Sequence, residues 1–131
     1  MEQEGVPTAQ LMTSGIVSVT PDTPVEDAVA TLLEEQIGSL VVVDEADELV
    51  GVVTSNDFLE VIAGGDLDAS ATVEQYMTAQ VITVSPGDSI QTAAARMITN
   101  GISHLPVTDP EEGITGMITT TDITAYSVSR A

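Results

Sequence analysis

Hydrophobic positions along this chain follow two periods, and the order of the periods repeats. Ile16 to Val19 reads as a short strand. Val25, Ala28, Val29, Leu32 and Leu33 then recur at helical spacing, which predicts an amphipathic helix with all five in the core. Leu40–Val43 and Leu49–Thr54 read as strands joined by a hairpin loop, Asp44-Glu45-Ala46-Asp47-Glu48, and a closing helix is expected from about Ser55. The series then starts again. Val81–Val84 is a strand, Ile90, Ala93, Ala94, Met97 and Ile98 form a core stripe, and Leu105–Thr108 and Ile114–Thr119 flank the loop Asp109-Pro110-Glu111-Glu112-Gly113. A last helix is expected near Thr120.

Helix start signals accompany these stripes. Thr23 is placed to cap, with Pro24 at the first helical position and Glu26 completing a capping box; Asp88 and Gln91 take the same parts in the second series. Thr72, with Gln75 in register, opens a small helix before Val81, and Thr8 opens its N-terminal counterpart. Arg96 falls off its stripe and is expected at the surface.

The repetition is one of residues as well as of periods. A shift of 65 residues lays Met12–Leu59 over Met77–Thr124 without a gap, with identities at Met12/Met77, Pro21/Pro86, Leu40/Leu105, Gly51/Gly116, Thr54/Thr119 and Asp57/Asp122. Most other pairs exchange one hydrophobic residue for another, as in Ile16/Val81 and Val17/Ile82. One unit is therefore written twice, at residues 8–65 and 66–131, with Gly64-Gly65-Asp66-Leu67-Asp68 as a flexible linker inside one body. Solenoids need at least three repeats, so two copies are expected to close on each other by pseudo-twofold symmetry and to create paired clefts. The fold class expected is α/β, two pseudo-twofold-related β-α-β-β-α repeats.

Composition narrows the partners. Lysine is absent, and Arg96 and Arg130 face 21 carboxylates, for a formal charge of −19 that repels nucleic acid and anionic membrane surfaces alike. The acids are scattered over turns and helix faces, as in a solvated surface adapted to high salt, and a lysine-free chain rich in Thr, Val and Ala resembles proteins of salt-loving archaea. With no cysteine, thiol chemistry is excluded and a reducing cytoplasm fits. No apolar run approaches a membrane span, and Met1-Glu2-Gln3-Glu4 does not resemble a secretion signal. The spacing of the acidic hairpin loops lacks the glycine and terminal glutamate of an EF-hand loop, and they read as solvated tips.

The strongest local pattern is Gly51-Val52-Val53-Thr54-Ser55-Asn56-Asp57, repeated as Gly116-Met117-Ile118-Thr119-Thr120-Thr121-Asp122. A hydrophobic strand ends in Thr, and three residues later an Asp stands at a helix start. Capping alone accounts for one such pair. Its recurrence at the same register favours a site, because a carboxylate there accepts two ribose hydroxyls while free backbone N–H groups meet a phosphate.

With Leu11-Met12-Thr13, Ile16-Val17-Ser18-Val19, Ile37 to Asp44 and Gly51 to Asp57, each answered in the second half by Tyr76-Met77-Thr78, Val81 to Val84, Gly101 to Val107 and Gly116 to Asp122, nearly the whole chain resembles tandem CBS domains, named after cystathionine β-synthase. The resemblance implies repeats packed sheet to sheet, leaving two clefts that take adenosine compounds (AMP, ADP, ATP or S-adenosylmethionine) and regulate an attached or associated protein. It implies that Asp57 and Asp122 hold ribose hydroxyls, helped by Thr54 and Thr119. Ile16, Val17, Val81 and Ile82 would line an adenine slot, with Ser39-Leu40-Val41 and His104-Leu105-Pro106 as the opposite wall. A homodimer is implied as well.

The departures concern phosphate. Asn56 and Thr121 stand where phosphate-binding relatives often carry Arg or Lys, and Ser39 and His104 stand at another commonly basic place. His104 is then the one cleft side chain able to become cationic. A polyphosphate would depend on helix N-termini, hydroxyls or Mg2+, which weakens ATP relative to AMP, adenosine or S-adenosylmethionine. No cofactor is required, and no catalytic constellation is present: there is one His, no Cys, no Lys and no glycine-rich phosphate loop. The expected function is a regulatory module for an adenosine-type small molecule, with an unidentified regulated protein as partner. A structural interaction module with ligand-free clefts is the alternative.

Overall fold

The computed structural model describes residues 5–65, 68 and 70–129. The expectations placed on Met1–Glu4, on Asp66 and Leu67 of the linker and on Arg130 lie outside the described residues. The elements are α1 (Thr8–Leu11), β1 (Ser18–Val19), α2 (Val25–Glu35), β2 (Ser39–Val43), β3 (Leu49–Thr54), α3 (Ser55–Ala63), a 3₁₀ turn (Val73–Gln75), α4 (Ile90–Asn100), β4 (His104–Asp109), β5 (Gly113–Thr119) and α5 (Thr120–Ser129). They gather into two compact units. The first is Val17–Val81; the second joins Met1–Ile16 to Ile82–Ala131. The repeats thus start earlier than the units do, and each unit borrows a short segment from the other repeat.

Two glycines account for the borrowing. In the first unit Val52 donates its N–H to the Thr78 carbonyl at 3.0 Å and accepts from the Thr78 N–H at 2.9 Å. A Cβ on Gly51 would lie 2.6 Å from the Met77 sulfur and 3.1 Å from the Thr78 carbonyl, so glycine is what lets this segment cross. In the second unit Thr13 and Met117 exchange the same pair of bonds, both at 2.9 Å, and a Cβ on Gly116 would lie 2.9 Å from the Thr13 carbonyl. The Met-Thr and Gly identities of the repeat are this one packing motif made twice.

In the first unit the sheet runs β1-β2-β3, with β1 parallel to β2 and β2 antiparallel to β3 from Ser39↔Thr54 to Val43↔Leu49. Leu40, Val42 and Val53 meet Val25, Ala28 and Leu32 of α2, Phe58 of α3, and Val73. Phe58 and Tyr76 add an edge-to-face contact with centroids 6.2 Å apart. In the second unit β4 and β5 pair from His104↔Thr119 to Asp109↔Gly113 over a core of Val84, Ile90, Ala93, Met97, Leu105, Val107 and Ile118. Both hairpins carry an irregularity at equivalent places, after Val42 and after Val107. Their loops close as expected: Asp44 accepts from the N–H groups of Ala46 and Glu48, and Asp109 from those of Glu111 and Glu112, all at 2.9 Å.

Several local expectations need correction. The strand expected at Ile16–Val19 is Ser18–Val19, and that expected at Val81–Val84 shrinks to Val84, which bridges Val107. The second loss has a covalent cause. Val41 donates its N–H to the Val17 carbonyl at 3.4 Å, but the residue 65 positions on is Pro106, which has no N–H. The helix starts fall one residue late. Pro24 is the N-cap of α2, while Thr23 accepts from the Thr20 N–H; Ser89 rather than Asp88 caps α4, accepting from the Thr92 N–H at 3.2 Å. Thr72 precedes a 3₁₀ turn without a side-chain cap bond.

The core stripes are also narrower than five residues. Val25, Ala28 and Leu32, like Ile90, Ala93 and Met97, are buried, but Leu33 is 73% exposed and Ile98 81%. These two are equivalent positions, each one residue past the stripe and therefore turned about 100° around the helix.

Helix α2 ends on Gln36 at φ 57°, and α4 ends on Gly101 at φ 64°. Only glycine adopts this left-handed turn without cost, so Gln36→Gly should stabilise the protein by about 0.5–1 kcal/mol, and Gly101→Ala should weaken it by a similar amount. Urea midpoints would check both, and a Gln36→Gly variant less stable than the parent would contradict the account.

Candidate functional site

In the first unit β3 runs directly into α3. Asp57 Oδ2 accepts the Thr54 N–H at 2.8 Å, and Thr54 Oγ1 accepts the Asp57 N–H at 3.1 Å. This reciprocal capping box satisfies two donors at the helix start and fixes both side chains. Asp57 is half-buried, and its Oδ1 makes no hydrogen bond among the described residues. The sheet register sets Ser39, 8% exposed, opposite Thr54. Asn56 is exposed and donates along the helix to Glu60 at 3.0 Å.

The second unit repeats the arrangement. Asp122 Oδ2 accepts the Thr119 N–H at 3.0 Å, and Thr119 Oγ1 accepts the Asp122 N–H at 3.2 Å. Again Oδ1 has no partner among the described residues, and the carboxylate is half-buried. His104 lies opposite Thr119 in the ladder, its Nδ1 3.3 Å from the Ser103 hydroxyl. Thr121 is exposed. A carboxylate oriented by one oxygen, with the other presented at a half-buried place, is suited to accept hydroxyl donors.

The helix N-termini offer less to a phosphate than the sequence promised. Ser55 gives its N–H to the Gly38 carbonyl at 2.9 Å, and Thr120 gives its own to the Ser103 carbonyl at 3.1 Å. With the Asp57 and Asp122 N–H groups also engaged, Asn56 and Thr121 hold the first-turn donors without a partner among the described residues. A concave region of the first unit of about 790 Å³ is lined by Asp22, Asp44, Glu45 and Glu74, at the hairpin-tip end of β2 and β3, away from Thr54. It disfavours anions. The Ser70 hydroxyl, then its N–H, hold the exposed Asp68 carboxyl below the usual carboxylate range; neither residue belongs to the site.

The apolar residues expected to line an adenine slot fall in both units. Val17 and Val81 belong to the first, Ile16 and Ile82 to the second, and all four are half-buried. Leu40 and Leu105 are closed off inside their cores. Val41 and Pro106, also buried, lie on the opposite face of their strands, as does Ser39 or His104 in the same strand. Sequence reasoning left Arg96 out. It is 43% exposed, yet donates to the Thr83 carbonyl at 2.7 Å and lies 3.7 Å from Asp88. Its counterpart in the first repeat is Thr31, so the difference between the copies was the available signal. Among the described residues no group of three or more His, Cys, Asp or Glu is placed to hold a metal ion, and no helix is long and apolar enough to cross a membrane.

Two reciprocally capped Thr–Asp pairs on duplicated α/β units define a class. The CBS domain model matches residues 9–64 and again 73–129, and the chain belongs to the CBS domain family. A curated relative, an uncharacterised 17.7 kDa protein of Acidianus ambivalens, is 30% identical over 115 residues, which cover 88% of this chain and 69% of that one. Several other curated relatives are longer, the chain spanning 21% to 41% of their length. Among solved structures, the CBS domain pair of protein MJ0100, in complex with 5′-methylthioadenosine and S-adenosyl-L-methionine, superimposes with a TM-score of 0.89 at 25% identity, covering 98% of this chain and all of that one. CBSX2 in complex with AMP does so at 0.81, also at 25% identity, over 96% of this chain and 98% of its own.

Proposed function

We propose that this chain is a regulatory module that binds an adenosine-type compound through one or both of its Thr–Asp pairs. The observation that carries the reading is the duplicated capping box: one carboxylate oxygen of Asp57 and of Asp122 is engaged by backbone, and the other is left to a ligand. The complexes of MJ0100 with 5′-methylthioadenosine and S-adenosylmethionine, and of CBSX2 with AMP, support the ligand class. Scarce helix donors, Asn56 and Thr121 in place of cations, and the acidic surface favour ligands with one phosphate or none; ATP would need Mg2+. Occupancy would shift the equilibrium between arrangements of the chain or of a homodimer, which a partner protein senses. The module is not an enzyme, and works in the cytoplasm.

Calorimetric titration with AMP, 5′-methylthioadenosine and S-adenosylmethionine in molar KCl tests this. Asp57→Asn and Asp122→Asn keep an oxygen for the cap but lose the charge, and binding at the altered pair should weaken about tenfold or more, as for hydrogen bonds to a charged group. The double variant should not bind. Undiminished binding in the double variant would remove the assignment.

A structural interaction module is the second reading. Leu33, Leu59, Ile62, Ile98 and Val128 are large apolar side chains left exposed, which favours a role in bringing chains together. A thermal shift with none of the three compounds at high salt would select it.

A further inference from the structure

The two copies differ at one main-chain acceptor. In the first unit the Val17 carbonyl is engaged by the Val41 N–H, and β1 is zipped to β2 through Ser18↔Val41 and Val19↔Val42. In the second unit the neighbouring bonds persist: Val84 donates to the Pro106 carbonyl at 3.1 Å and accepts from the Thr108 N–H at 2.9 Å. The bond to Ile82 is the one missing, because Pro106 has no N–H to give. The Ile82 carbonyl has no partner among the described residues, although the residue is half-buried.

That carbonyl is nevertheless held in place. Thr83, next in the chain, is gripped by Arg96 at 2.7 Å, and Val84 is fixed in the ladder. Arg96 lies 3.7 Å from Asp88, which accepts the Ser85 N–H at 2.9 Å and so ties the far end of the segment. In the first unit Thr31 occupies the place of Arg96 and bonds back to the Asp27 carbonyl of its own helix at 2.9 Å. Pro106 and His104 share a face of β4, and His104 is paired with Thr119, whose box partner is Asp122. The unengaged acceptor, two residues before the Val84–Val107 bridge, and the His104–Thr119 pair that leads to Asp122 therefore both border β4.

We propose that Pro106 makes the two sites unequal: it leaves the Ile82 carbonyl as an acceptor for an amino-edged base, so that the second unit takes ligand before the first. This rests on the adenosine reading above. A carbonyl accepts from the 6-amino group of adenine but opposes the 6-oxo group of hypoxanthine, acceptor against acceptor. Pro106 is thus a specificity-determining residue that acts by lacking a donor.

The test uses Pro106→Val, since valine is what the first repeat carries at this place and is compatible with the ladder there. AMP and IMP are titrated into the full chain and the variant in molar KCl. The parent should prefer AMP at its tighter site by roughly three- to tenfold, the worth of one hydrogen bond, and the variant should lose that preference through weaker AMP binding with IMP unchanged. In the ligand-free variant the new amide at position 106 should be protected from hydrogen exchange by the Ile82 carbonyl. Rapid exchange at that amide would refute the freed acceptor. An AMP-to-IMP preference that survives in Pro106→Val would end the role of Pro106 while leaving the adenosine reading intact, and a parent chain with no affinity for AMP would end this inference outright.

Discussion

Leu32→Ala should destabilise the protein by about 2–5 kcal/mol, while Leu33→Ala, one residue on, should change stability by no more than about 0.5 kcal/mol. Leu32 is packed among Val25, Ala28 and Leu40, and truncation leaves a cavity that the sheet cannot collapse to fill. Leu33 is 73% exposed, so its removal costs little contact. Met97 and Ile98 repeat the comparison in the second unit, with Met97 buried and Ile98 exposed. Denaturant midpoints of the four alanine variants would decide it. Comparable losses at Leu33 and Leu32 would mean that a further surface packs on α2 in solution.

Lowering KCl from 2 M to 0.1 M should lower the melting temperature by roughly 10 °C. Two carboxylates about 10 Å apart repel by ~0.4 kcal/mol in unscreened water, and one Debye length at 0.1 M cuts this to about 0.15 kcal/mol. With two such neighbours for each of 21 carboxylates, each pair counted once, and two Arg against them, the repulsion is about 3 kcal/mol. At 2 M the Debye length falls to about 2 Å and nearly all of it is screened. For a chain of 131 residues each kcal/mol moves the midpoint by about 3–4 °C. Differential scanning calorimetry across this range is the measurement, and a flat response would show that the acids are spaced too widely to matter.

Repetition made much of the fold legible. The strand Leu49–Thr54 and both closing helices lie where the hydrophobic periods put them, because each has a sharp end: a hairpin loop before it, or a Thr–Asp box at its start. The capping boxes were legible for the same reason, since Thr and Asp three apart have a local partner for every bond they make. What escaped depends on groups distant in sequence. The length of the strand at Val81–Val84 is decided by a missing N–H at Pro106, and the choice between Leu32 and Leu33 by which flank of a helix meets a sheet. Engagement of the Ser55 and Thr120 N–H groups by the carbonyls of Gly38 and Ser103 depends on loops whose course hydrophobic periods do not report.

The crossing allowed by Gly51 and Gly116 sets how the molecule can be divided. A chain cut at the repeat border would leave each fragment without the Met-Thr strap that closes its own sheet, and with the strap that belongs to its sibling. Neither piece is then self-sufficient, and a gene for half of this protein encodes less than half of its stability.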